Sequence, residues 1–263
     1  MTGPIEQIHS PGGGWLRQRY PGQLGWLAAR FRTGAPTGLA LTVAVLTLAG
    51  CGWALRSLTT SVVHHTGIAR NDPRVLSFMV SHRTPWLTVL ARTLTWLGSG
   101  FLLWPVVTIA GLGLWRWRHR WLPAILPALA LAGAAAWSLL IKALVGRPRP
   151  PAGYWLSHVD GWSFPSQHAT QALATWGMLA LMVAAGRPLR ARALLVAGAA
   201  LIAIVVGLTR LYLAAHWLTD VLGGWALAGV WDSLLIISYL LTRRAATASA
   251  ELEARPAAPR KAA

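Results

Sequence analysis

The chain has 263 residues, of which 55% are hydrophobic and only 12% charged, and it carries a formal net charge of +17. Soluble domains typically hold about 25% charged residues, so this composition, with a mean hydropathy of +0.48, excludes an ordinary soluble globular protein and points to a membrane. Seven acidic residues in all leave no converging carboxylates for a two-metal site, and long apolar runs between basic clusters are not the footprint of a nucleic-acid-binding domain.

Residues 1–36 are basic and Gly/Pro-rich and do not have the pattern of a cleavable signal peptide; they are expected to form a cytoplasmic N-terminal segment. A first membrane span is expected over about 37–55. It holds Cys51, the only cysteine, which rules out an intrachain disulfide and fits inert packing. The stretch 76–97 contains His82, Arg83, Pro85 and Arg92 and is expected to be an interfacial amphipathic helix, not a span. Further spans are expected at about 99–115, 122–145, 168–185, 193–211 and 217–241, each near the roughly 20 residues that cross a bilayer as a helix. The Ala/Arg/Glu-rich residues 243–263 are expected to be a disordered cytoplasmic tail. The fold expected is all-α: a polytopic membrane bundle of six transmembrane helices plus the interfacial helix, in one domain over 37–242.

Basic residues set the orientation. Arg17, Arg19, Arg30 and Arg32 precede the first span, Arg116, Arg118 and Arg120 lie in the 2–3 loop, and Arg187, Arg190 and Arg192 in the 4–5 loop. Arg243, Arg244, Arg255, Arg260 and Lys261 follow the last span. All four regions fall on one side of a six-span protein, which places both termini in the cytoplasm and the opposite face outside, in the cell membrane. Arg56, Arg70, Arg74, Arg83 and Arg92 run against this bias and are assigned to the long, partly interfacial 1–2 connection. Trp53, Trp86, Trp96, Trp115, Trp117, Trp121, Trp155 and Trp217 lie near expected span ends, as an aromatic belt does. Membrane lipids, through their anionic headgroups, are the partners this surface implies; the sequence fixes no oligomeric state.

Three blocks carry chemistry. Lys142-Ala-Leu-Val-Gly-Arg147-Pro-Arg149-Pro150 ends the third span. Ser163-Phe-Pro165-Ser166-Gln167-His168 opens the fourth. Arg210-Leu-Tyr-Leu-Ala-Ala-His216-Trp-Leu-Thr-Asp220 joins the fifth to the sixth. The topology brings all of them to the outer face, and ionisable residues at membrane depth usually mark a function, although a single Lys142 or Arg210 would equally suit headgroup snorkelling. Fixed cations without an acid cluster suit a phosphate dianion. Two histidines can divide nucleophilic and acid–base duties. His216 and Asp220, four apart on a helix, are neighbours, so the carboxylate can orient the imidazole. Ser166 is placed to cap the fourth span, whose N-terminal amides can hold a phosphate oxygen.

Together the blocks resemble the type 2 phosphatidic acid phosphatase (PAP2) family, the lipid phosphate phosphatases, with its K-x6-RP, PSGH and SR-x5-H-x3-D patterns. Lys142, Arg149 and Pro150 match the first, Pro165, Ser166 and His168 the second, and Arg210, His216 and Asp220 the third. The resemblance is firm over about 137–230. It implies that His216 attacks phosphorus to form a phosphohistidine, that Asp220 orients it, and that His168 protonates the leaving oxygen and then activates water. Lys142, Arg149, Ser166 and Arg210 would hold the phosphate oxygens, with the backbone of Gln167, and neither metal nor cofactor would be required. Gln167 stands where the family has glycine and Thr209 where it has serine. If position 167 needs a left-handed backbone, Gln there would cost on the order of 1 kcal/mol. Arg147 supplies a second arginine within reach of the phosphate.

The substrate implied is a lipid phosphate or diphosphate, with undecaprenyl diphosphate, phosphatidylglycerol phosphate and phosphatidic acid as candidates. A lipid-linked phosphotransferase and a non-catalytic lipid-binding or transporter-like protein are the competing readings. His64, His65, His82, His119 and His158 match no pattern and are expected in loops or at the interface. Tyr154, Trp155, His158 and Asp160 lie in the loop above the site, either shaping headgroup selection or simply solvated. Asp232, inside the sixth span, matches no pattern and is left without a role; a buried arginine or polar group of another helix could pair with it.

Overall fold

The structure, a computed structural model, describes residues 36–253. Residues 1–35, the bulk of the expected N-terminal segment, and 254–263 lie outside that range. The chain divides into two compact units, 1–43 and 44–263. Of the first, only the opening turns of helix α1 (Pro36–Val63) are described. The second holds the rest of α1 and then α2 (Asp72–Ser81), α3 (Pro85–Leu94), α4 (Gly100–Arg118), α5 (Trp121–Val145), α6 (Gln167–Ala184), α7 (Leu189–Tyr212) and α8 (Leu218–Glu253). Short 3-10 turns cover Gly67–Asn71, Thr95–Gly98 and Ala152–Tyr154. The described residues contain no strand, and the fold is all-helical, as the sequence implies.

Local chemistry sets the helix ends that matter for the site. Thr84 accepts the Leu87 N–H at 3.4 Å ahead of Pro85 at the first helical position, an arrangement suited to a helix start. Ser99 likewise accepts the Phe101 N–H at 3.3 Å and starts α4. Helix α5 stops at Gly146, which has φ 60 and donates its N–H to Lys142 O at 3.0 Å. A left-handed residue closes a helix in this way, and glycine adopts it without strain. Lys142 is thereby fixed in the last turn.

Among the described residues, five segments are long and apolar enough to cross a membrane: Gly38–Val63, Gly100–Arg118, Trp121–Val145, Leu189–Tyr212 and Leu218–Thr247. The expected fourth span is α6, which is not among them. Its first half carries Gln167, His168, Thr170, Gln171 and Thr175. The reason is its position: α6 packs against α5, α7 and α8, and Ala169, Thr170, Ala172, Ala174, Thr175 and Met178 are fully buried. A helix enclosed by other helices can be polar where a lipid-facing one cannot. The outer helices show the complementary pattern, with Leu46, Phe101, Ile109, Leu144 and Leu194 all exposed.

Three expectations need correcting. The stretch 76–97 is not one helix: it is α2, α3 and a 3-10 turn, broken at His82–Thr84. At ten residues each, α2 and α3 are about 15 Å long, half a bilayer core. Two of its arginines have definite partners. Arg83 donates from Nε and Nη2 to Tyr212 O (3.2 and 2.9 Å), and Arg92 from the same atoms to Leu156 O (3.0 and 2.8 Å). Next, α8 runs on to Glu253, so the segment expected as a disordered tail begins as helix. Finally, Asp232 makes no interhelical pair among the described residues: its Oδ1 has no hydrogen-bond partner there, and Oδ2 lies against Gly177.

Candidate active site

The Arg-Pro-Arg-Pro segment after α5 is braced from both sides by tryptophans expected in the aromatic belt. Trp155 Nε1 donates to Pro150 O at 2.7 Å and Trp217 Nε1 to Pro148 O at 3.0 Å. These two rings hold a loop, while Trp53, Trp86, Trp96, Trp115, Trp117 and Trp121 are exposed as a belt requires. With the Pro148 and Pro150 carbonyls held, the two arginines diverge.

Arg147 turns inward. Nη1 donates to Asp220 Oδ1 at 2.5 Å and Thr219 Oγ1 at 2.7 Å, and Nη2 to Asp72 Oδ2 at 2.6 Å. Asp72 in turn accepts from Thr219 N at 3.0 Å and Thr219 Oγ1 at 2.6 Å. Both carboxylates are almost wholly buried. The expected phosphate contact of Arg147 is therefore replaced by an ion-pair chain, because a buried guanidinium between two carboxylates has no donors left for a ligand on those edges.

Arg149 turns the other way. It donates to three backbone carbonyls, Gly161 O (2.9 Å), Asp160 O (2.7 Å) and Ala215 O (2.7 Å), and Nη1 lies 3.3 Å from His216 Nε2. Lys142 Nζ donates to Trp162 O at 2.5 Å and Ser163 O at 3.1 Å. Arg210, 4% exposed, donates to Thr95 Oγ1 at 2.9 Å, and its Nε has no partner.

His216 sits in the tight turn between α7 and α8. Ala214 has φ 53, a left-handed conformation that costs a non-glycine residue about 1 kcal/mol. The turn brings the Ala215 and His216 N–H groups onto Arg210 O, at 3.1 and 3.3 Å, which ties the cation to the imidazole. His216 Nδ1 is 3.3 Å from Asp220 Oδ2. The same carboxylate oxygen accepts from Trp217 N at 2.9 Å and, in a very short bond, from Ser163 Oγ. Nε2 faces Arg149, which only donates, so Nε2 holds a lone pair and the proton is assigned to Nδ1, toward Asp220. Burial pushes the imidazole down to about 3; Asp220 opposes this, and the Lys142 and Arg210 cations add to it. His216 is thus neutral at neutral pH.

Helix α6 brings the last group. Ser166 is at its N-cap position and donates its N–H to Asp220 O at 2.9 Å. Its side chain makes no capping bond: Oγ is buried and unpartnered, contrary to the expected cap. Gln167 is the first helical residue, and the left-handed non-glycine residues described are His65, His119 and Ala214. The glycine-to-glutamine exchange therefore carries no backbone strain here. His168 follows, and its carbonyl is closely approached by Gly98, where a Cβ would lie 2.7 Å from His168 O and 2.6 Å from Val206 Cγ1. Only glycine lets the Thr95–Gly98 turn pack so tightly against α6.

Lys142, Arg149, Gln167, His168, Arg210 and His216 all line one cavity of about 600 Å³. Asp220 lies behind His216, fully buried. Ser166 stands at the helix start beside it. The loop residues His158 and Asp160 form the cavity lip and pair with each other at 3.2 Å, both exposed. His82 Nδ1 donates to Phe78 O at 2.8 Å near a helix end, and His82 is not among the residues lining this cavity. No group of three or more His, Cys, Asp or Glu converges among the described residues. Sequence reasoning missed the roles of Ser163, which bonds Asp220, of Asp72 and Thr219, which hold Arg147, and of Gln171, which lines the cavity. Three positive charges and two imidazoles around a pocket this size can bind a phosphate dianion and transfer its phosphoryl group.

The family model of the PAP2 superfamily matches residues 123–244. Phosphatidylglycerophosphatase B of Bacillus subtilis (strain 168) is 29% identical over 174 residues, covering 65% of this chain and 84% of that protein. The crystal structure of a transmembrane PAP2-type phosphatidylglycerolphosphate phosphatase from Bacillus subtilis superposes with a TM-score of 0.66. It is 26% identical, and the match covers 76% of this chain and 96% of that one.

Proposed function

We propose that this chain, whose residues 123–244 match the PAP2 superfamily model, is a membrane phosphatase of that family and hydrolyses a lipid phosphate or diphosphate through a phosphohistidine on His216. The observation that carries this reading is the setting of His216, with Nδ1 toward Asp220 and Nε2 toward Arg149 at the cavity wall. A neutral imidazole so oriented offers a nucleophilic lone pair.

In the first step the Nε2 lone pair attacks phosphorus, and the bond from phosphorus to the leaving oxygen breaks as protonated His168 gives that oxygen its proton. Asp220 stabilises the positive charge that develops on the His216 ring. In the second step neutral His168 takes a proton from water as the water oxygen attacks phosphorus. The N–P bond breaks, its electron pair returns to His216, and phosphate leaves. Lys142, Arg149, Arg210 and the Ser166 hydroxyl offset charge on the three equatorial oxygens.

The relative named above is a phosphatidylglycerophosphatase, which makes phosphatidylglycerol phosphate the first substrate to test, ahead of undecaprenyl diphosphate and phosphatidic acid. Enzyme purified in detergent with EDTA is expected to release phosphate from at least one of these. His216→Ala and His168→Ala should each lower the rate at least a thousandfold. Equal release by wild type and His216→Ala would sink the mechanism, and label appearing on a second lipid would mark a phosphotransferase.

We further infer six spans, with α6 as the fourth, both termini cytoplasmic and the cavity opening outward. The arginines at 116–120 and 187–192 support this orientation. A cysteine introduced at Arg190, with Cys51 replaced by alanine, should be shielded from an impermeant thiol reagent in intact cells. Rapid labelling there would invert the topology.

A further inference from the structure

We propose that Gln171 is a specificity-determining residue, whose side-chain amide binds an oxygen-bearing group, a hydroxyl or a phosphodiester, carried by the substrate's leaving group beside the scissile ester. This rests on the reading of His168 as the group that protonates the leaving oxygen.

Gln171 is 4% exposed and lines the cavity. Among the described residues its amide has no hydrogen-bond partner. A glutamine kept one turn inside a membrane helix without a partner is costly, and the cost is relieved only by a ligand or water that supplies the missing bonds. Ser166 and Arg210 also hold unpartnered polar atoms, but they stand among the cations that suit the phosphate oxygens. Gln171 does not.

Its place on α6 identifies what it would touch. His168 and Gln171 are three residues apart, and Gln167 and Gln171 four, so all three share one helix face, with Gln171 a turn deeper. A leaving group that receives its proton from His168 therefore continues past Gln171. Across from the amide, α4 begins at Ser99–Gly100. A Cβ on Gly100 would sit 3.6 Å from Gln171 Nε2 and 3.9 Å from Oε1, so glycine there leaves room for a ligand atom over the amide. The amide offers two donors and one acceptor. A hydroxyl satisfies both kinds and a phosphodiester oxygen satisfies the donors, whereas a hydrocarbon chain satisfies neither. A site that leaves a buried polar group unpaired rejects the poorer substrate.

Three probes in detergent micelles separate the sources: phosphatidylglycerol phosphate, with hydroxyl and phosphodiester; lysophosphatidic acid, with a hydroxyl and no phosphodiester; and farnesyl phosphate, with neither. Wild type is expected to show kcat/KM at least about tenfold higher for one or both of the first two than for farnesyl phosphate. Gln171→Met, close in size and without an amide, should bring that ratio near one. Gly100→Ala, which puts a methyl into the space over the amide at a helix start where alanine is well tolerated, should lower it at least threefold. The proposal is overturned if wild type has no such preference, or if either variant, eluting as a single folded species, keeps the wild-type ratio. His216→Ala and His168→Ala, run on the same probes, keep the two ideas apart. Their retained activity would end the catalytic reading. Their inactivity with an unchanged ratio in the Gln171 and Gly100 variants would end this inference alone.

Discussion

Asp72, Arg147, Thr219 and Asp220 form a buried hydrogen-bonded chain, and a guanidinium held between two carboxylates is stable only while each partner is present. Removing one partner of such a set typically costs about 3–5 kcal/mol. Asp72→Ala should therefore lower the unfolding midpoint markedly, measured by tryptophan fluorescence in detergent, and Asp72→Asn should lower it less because the amide still accepts from Thr219. Acid should act through His216. Its folded value lies below the unfolded value of about 6.5, so the unfolded chain binds more protons between those limits, and stability rises with pH there. The contribution is complete above about pH 6.5 and is lost as pH falls through the acid range toward the folded value. His216→Gln should flatten the acid limb of Tm against pH between about 6.5 and 4; an unchanged slope would mean that His216 is not buried neutral. The six charged or imidazole residues of the site were legible because their spacing is fixed by two helix ends and one tight turn. Asp72 was not, because its acid-then-proline start looks like any helix N-terminus and its partners lie 75 and 147 residues away. The available signal was scarcity: in a chain with seven acids, each is worth a partner search.

Among elements, α6 is where apolar periodicity and structure part. Its polar first half and its neighbours on nearly every side follow from one fact, that it carries the site into the bundle. The other helices were legible as long apolar runs. The two short helices α2 and α3 were not separable by pattern, because the break at Thr84–Pro85 lies inside a continuous amphipathic stretch. These elements matter to the site through backbone clamps. Arg83 fixes Tyr212 O just ahead of the turn that holds His216, and Arg92 fixes Leu156 O in the loop over the cavity. Arg83→Ala is expected to lower kcat with little change in KM, because it loosens the turn that holds His216 and not the cations that hold phosphate; steady-state kinetics in detergent on the preferred lipid would check this. Gly98→Ala should act similarly through His168, since the added methyl would press on the His168 carbonyl and Val206.

The described residues combine an all-helical bundle with a polar pocket near the ends of α5, α6, α7 and α8. The fold class was legible from composition alone, since a chain this apolar has few ways to satisfy its backbone besides helices. The pairing of Arg147 with Asp72 was not, for it depends on which side of the bundle the 1–2 connection crosses. That crossing has a practical consequence for anyone who would move the site elsewhere. The family region at 123–244 contains every motif residue, yet Asp72, Arg83, Arg92, Thr95 and Gly98 all lie upstream of it and buttress what it contains. A fragment cut to that region would keep the candidate site residues and lose their support, so grafting or trimming should treat the motif and its upstream brace as one inheritable part.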